Sequence, residues 1–145
     1  MEESSTQNSR HIIRLLIFFL WLVAIHSLVV GLCLILFPPG ILNAFGFEVT
    51  EKFFPTQAGV FHLVMVVIYV FAIRRLNRSV DLVQLSIGIK FLAAIFLFVY
   101  YFLISDIVTV VLAGAGDLSM GIILLYLFIR SGLAGKKNAG NGSHV

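Results

Sequence analysis

Residues 82–129 read LVQLSIGIKFLAAIFLFVYYFLI, then SD, then IVTVVLAGAGDLSMGIILLYLFI. These are two apolar runs, Leu82–Ile104 and Ile107–Ile129, parted only by Ser105 and Asp106. A helix that crosses a bilayer needs roughly 20 mostly apolar residues at about 1.5 Å of rise each, and each run is longer than that. A two-residue turn forces the second helix back along the first, so the pair is expected as an antiparallel hairpin.

Two further runs precede it. Gln57–Ile73 is closed by Arg74, Arg75 and Arg78, and Ile12–Phe37 stops at Pro38-Pro39-Gly40. The first run, with Arg10 and Arg14 ahead of it, has the outline of a secretory signal. It is too long for a signal's apolar core and no A-x-A-like cleavage site follows, so it reads as a retained span. The expected fold class is an all-α membrane protein: an antiparallel bundle of four transmembrane helices over about 12–37, 57–73, 82–104 and 107–129. Residues 1–11 and 131–145, polar or rich in Gly and Asn, read as disordered tails.

Composition agrees. Of 145 residues, 60% are hydrophobic and only 12% charged, with a mean hydropathy of +1.06. A soluble domain carries about a quarter charged residues, so lipid must cover much of this surface. The net charge of +3 does not indicate nucleic acid, because the basic residues sit at helix ends and are not interleaved with exposed aromatics. Cys33 is the only cysteine, which excludes an intrachain disulfide, a thiolate metal cluster and a CxxC redox pair. Leu32 before it is a poor lipoprotein context, and Cys33 reads as a small apolar side chain.

Orientation follows from charge. Arg10, Arg14, Arg74, Arg75, Arg78, Arg130, Lys136 and Lys137 all fall on one side of the bundle, while the other carries Lys52 among Glu48, Glu51 and Asp106. The positive-inside rule then places both termini and the middle loop in the cytoplasm of a multi-pass cell-membrane protein. On the other side, residues 38–55 form the longest connection. Pro39 suits the first turn of a short helix with Ile41, Leu42 and Phe45 on one face. Phe47, Phe53 and Phe54 extend an apolar segment expected to lie in the interface, packed on the bundle or against headgroups.

Four titratable residues lie well inside the runs: His26, His62, Lys90 and Asp117. By helical rise they stand about 21, 16, 12 and 18 Å from the basic ends of their helices, each on a different span and all near the midplane. A charge at that depth disfavours insertion by about 2.5–3.5 kcal/mol and usually faces a partner. Helical spacing gives each a face: Leu22, His26 and Val29/Val30; Ala58, His62, Met65 and Tyr69; Ser86, Lys90 and Ala93/Ala94; Val110, Gly114, Asp117 and Gly121. Ser27 and Gly31 form a neighbouring small-xxx-small pair. Lys90 and Asp117 differ in depth by about 6 Å, within reach of a lysine stem. They read either as an ion pair fixing helix register or as the lining of a polar cavity for a ligand or proton. The histidines read as helix-packing hydrogen-bond partners or members of that site. Neither has a second ligand one turn away, so haem or metal is not expected.

A span ending in Phe37-Pro38, an apolar outer loop, and Phe53-Phe54 leading into Gly59 and Tyr69 come first in a broader pattern. Gly88 and Lys90, then Gly116-Asp117-Leu118, complete it. In these features the chain resembles the DoxX-like group of small four-span bacterial membrane proteins, and within it the BphX-like type. The resemblance implies a compact antiparallel bundle and points toward membrane redox or sulfur metabolism, although nothing here carries a quinone or haem motif. Two function classes follow. One is a small-molecule-binding or membrane-accessory protein whose midplane site takes an apolar molecule or a partner membrane protein, in a monomer or a homodimer. The other is a proton-coupled carrier or membrane enzyme using Asp117 and a histidine, for which the chain shows no internal repeat. No catalytic residue and no cofactor is identified.

Overall fold

The computed structural model describes residues 2–76 and 80–133, with side chains described from Gln7 onward except Asn8. The elements are α1 (Glu2–Leu36), α2 (Pro39–Ala44), α3 (Phe53–Arg74), α4 (Asp81–Leu103) and α5 (Val108–Arg130). Four of these helices are long and apolar enough to cross a membrane: α1 from Ser9, α3, α4 and α5. No strand occurs among the described residues.

Three expected boundaries move, the first of them at α3, which begins at Phe53 and not near Gln57, so that its first turn takes in the end of the expected 38–55 connection. Helix α1 is described from Glu2, ahead of the expected start of the first span. Once a helix is nucleated, each further residue adds a backbone bond, and Glu, Gln and Arg resist it little. At the other end, Ser131 and Leu133 are buried and belong to the packed body; the rest of the expected C-terminal tail lies outside the described residues, as does Arg78.

The four spans associate as α1 with α3 and α4 with α5, and the two pairs then meet through α1–α5 and α3–α4. Within the first pair the backbones touch. A Cβ on Gly59 would stand 2.7 Å from the Gly31 carbonyl oxygen, and one on Gly31 would stand 2.9 Å from that of Gly59. Lipid gives helices no hydrophobic reason to associate, so close approach through small residues supplies the packing. In the second pair, Gly114 admits Leu97 and Gly121 admits the Cβ of Lys90.

A shared core fills one half of the bundle. Leu16, Leu20 and Val23 of α1 meet Tyr69 and Ala72 of α3, Val83 and Ile87 of α4, and Leu124 and Phe128 of α5. All of these lie toward the end that bears Arg14, Arg74, Arg75 and Arg130, here called the basic end. The opposite, acidic end bears Glu48, Glu51 and Asp106.

The connection at the acidic end contains the helix expected from Pro39, which occupies its first turn. Only Leu42 of that helix is buried. Ile41, Phe45, Phe53 and Phe54 are exposed on the protein, so only surrounding lipid, and not the bundle, can shield them. Two hydrogen bonds shape the segment. The Val49 amide donates to Asn43 Oδ1 at 2.9 Å, and the Thr109 hydroxyl donates to the Phe45 carbonyl at 2.7 Å, tying the connection to the first turn of α5.

Candidate functional site

Lys90 and Asp117 lie where the shared core ends. Lys90 Nζ donates to Asp117 Oδ1 at 2.6 Å, with the side chains 4% and 14% exposed. That burial decides how the pair is read. An exposed surface pair contributes about 0–1 kcal/mol, whereas neither of these charges has an alternative partner in lipid. Gly121 lets α5 sit against the root of the lysine, and the stem then extends along α5 to the carboxylate. One turn before Lys90, the Ser86 hydroxyl donates to the Leu82 carbonyl at 2.7 Å and so needs nothing from the pair.

The α1–α3 pair supplies the surroundings. Lys90 Nζ stands 5.9 Å from the centroid of the Tyr69 ring, within the range of a cation–π contact, and Tyr69 is almost wholly buried. The Ser27 side chain of α1 is close enough to Tyr69 to influence its hydroxyl. His62 is half-buried and within electrostatic reach of Lys90, Asp117 and His26. His26 is also within reach of Lys90 and Asp117, but it lies on an exposed face.

The faces expected from spacing therefore divide. On α4, Ser86, Lys90 and Ala94 are buried, and on α5 so are Val110, Gly114 and Gly121, with Asp117 nearly so. On α3, Tyr69 is buried, His62 and Met65 are half-buried, and Ala58 is exposed. On α1 the expected face is the wrong one. Leu22, His26 and Val29 are exposed, while Leu16, Leu20, Val23, Ala24, Ser27 and Gly31 face inward.

Two members of the site were not singled out by the sequence. Tyr69 was placed on the His62 face but not against Lys90, and Ser27 was read only as a small packing residue. Seven residues separate His62 from Tyr69, two helical turns, so the spacing already put the ring on the side of the charges. Cys33 is a half-buried free thiol, and among the described residues no three His, Cys, Asp or Glu side chains gather as metal ligands.

A second feature lies beyond the pair, at the acidic end. A cleft of about 700 Å³ is lined by Leu34 of α1, Phe54 and Ala58 of α3, Tyr100 of α4 and the connections at that end. Lys90 and Asp117 are not among its lining residues. No protein family, curated protein or solved structure matches the chain.

Proposed function

We propose that this chain is a multi-pass cell-membrane protein, an antiparallel bundle with both termini cytoplasmic, that binds a small molecule at its midplane. The site comprises Lys90 and Asp117, with Tyr69, His62 and His26 around them. The observation that carries the reading is the origin of these groups. A clamp between α4 and α5 needs only Lys90 and Asp117, and these already satisfy each other. The α1–α3 pair nevertheless brings two histidines into their field and a tyrosine ring against the ammonium. Titratable groups are disfavoured at this depth and mark sites when they are retained.

The antiparallel arrangement is supported by the pairing of Leu97 with Gly114 and Lys90 with Gly121. The orientation is supported by the concentration of Arg and Lys at one end. Membership of the DoxX-like group is part of the proposal and rests on the residues from Phe37-Pro38 to Gly116-Asp117-Leu118. A second reading, proton exchange between Asp117 and a histidine in a carrier or membrane enzyme, is favoured by the presence of His62 in the field of the pair.

The test uses the wild type and the Lys90→Met/Asp117→Asn double variant, both extracted directly into lipid nanodiscs. Mass spectrometry of the bound small molecules should show a species held by the wild type and absent from the folded double variant. Identical extracts, or none from either protein, would reduce the pair to a structural clamp.

A further inference from the structure

We propose that the cleft at the acidic end is a binding site for a lipophilic organic cation, a singly charged ammonium or phosphonium on an apolar body. Its volume of about 700 Å³ falls within the roughly 300–1,000 Å³ of sites that enclose small ligands. Its lining is mixed, with an apolar share from Leu34, Leu42, Phe54, Ala58 and Ile104 and an aromatic surface from the Tyr100 ring. Such a ring attracts a cation through the negative charge on its face. The site is separate from the midplane cluster, so the proposal stands whether or not Lys90 and Asp117 bind anything.

Charge selects the ligand. Glu48, Glu51 and Asp106 all line the cleft, and no Lys or Arg does. Among the described residues none of the three carboxylates has an ion-pair partner. Carboxylates of one sign at the mouth of a low-dielectric cleft focus a field that concentrates cations and repels anions. A metal ion does not fit this arrangement, because the carboxylates do not gather into a ligand cluster and much of the remaining lining is apolar. A phospholipid headgroup would bring its phosphate against the same rim. An apolar body with one positive charge satisfies both parts of the lining.

The walls are also built in advance. The Thr109–Phe45 and Val49–Asn43 hydrogen bonds hold the connection that carries Phe47, Glu48 and Val49. A ligand entering such a cleft has little chain to order, which is the usual penalty on affinity.

The probe is tetraphenylphosphonium, titrated calorimetrically into the full-length protein in phosphatidylcholine nanodiscs, with empty nanodiscs as the reference. Tetraphenylborate is the control, an anion of nearly the same shape. The phosphonium should bind saturably and the borate should not, and binding should weaken as salt is raised. Neutralising the rim with Glu48→Gln, Glu51→Gln and Asp106→Asn together should weaken phosphonium binding roughly tenfold, the effect of three modest surface charge interactions. All three residues are exposed, and an unchanged thermal transition would show that the triple variant is folded. The salt series on the wild type gives the same answer without any variant. Absence of saturable phosphonium binding, equal binding of the borate, or affinity indifferent to salt and rim charge would each overturn the proposal.

Discussion

The two halves of this bundle are held together differently. From the basic end to the level of Lys90, large side chains from all four spans fill the axis, among them Leu16, Leu20, Tyr69, Leu124 and Phe128. Beyond Lys90 the buried positions are Gly31, Gly59, Ala94 and Gly114, with Val110 and Leu42 the larger exceptions among the described residues. Small residues bring two backbones together but fill no space between four. The acidic half is thus two helix pairs, each tight within itself, with a cleft between them. A soluble protein would close such a gap to bury apolar surface. In lipid the drive to do so is absent, so an unfilled half can persist and be put to use.

The comparison first predicts which end is which. Reporter fusions at either terminus should give a cytoplasmic signal, because Arg14, Arg74, Arg75 and Arg130 cluster at the end of the bundle where the first span begins and α5 ends, and positive charge marks the cytoplasmic side. This effect is all-or-none. A C-terminal fusion reporting from outside would invert the basic and acidic ends, or make the number of spans odd.

Next in size is the boundary between the halves. Removing one partner of a buried ion pair leaves the other uncompensated, at about 3–5 kcal/mol in a protein interior. Asp117→Asn and Lys90→Met should each destabilise the protein by that order in detergent or bilayer unfolding. The double variant should recover part of the loss, since partners couple and independent sites add. Losses that add would mean that the 2.6 Å contact does not hold α4 and α5 in register.

Smaller again is the seam inside one pair. A side chain at Gly59 would meet the Gly31 carbonyl at 2.7 Å and Ile35 Cγ1 at 2.6 Å, and the carbonyl cannot rotate away. Gly59→Val should lower stability by about 1–3 kcal/mol, the range for overpacking. If unfolding is unchanged, the α1–α3 backbones are not in contact and the acidic half lacks its main attachment.

Much of this was readable in advance, and physics explains the rest. The four spans were legible because run length alone decides whether a helix can cross a bilayer. The Lys90–Asp117 pair was legible because two charges at similar depth on a forced hairpin have few other ways to be satisfied. The inward face of α1 was not legible from periodicity. Ile, Leu, Val and Phe cover every side of that helix, and lipid suits them as well as a core does. The usable signal was Ala24, Ser27 and Gly31, where small size, not polarity, marks the contact side; His26 drew attention to an exposed face beside it. The cleft was beyond reach, because it depends on how α1–α3 meets α4–α5 and on a connection held by the Thr109–Phe45 hydrogen bond.

The smallest expected effect tests the contrast most directly, because it makes the same substitution in both halves of one helix. Ala72 is fully buried in the shared core, while Ala58 lines the cleft and is exposed. Changing alanine to leucine adds the same three carbon atoms at either place and leaves helix propensity nearly unchanged. At Ala72 those atoms must displace neighbours in a filled interior, which should destabilise by about 1–3 kcal/mol. At Ala58 they enter open space, and the shift should stay within about 0.5 kcal/mol, as for substitutions away from packed features. Thermal or denaturant unfolding of Ala72→Leu and Ala58→Leu in the same detergent measures the difference without any knowledge of a ligand. Equal losses at the two sites would mean that the acidic half packs as tightly as the basic half, and the cleft would then close in the folded protein.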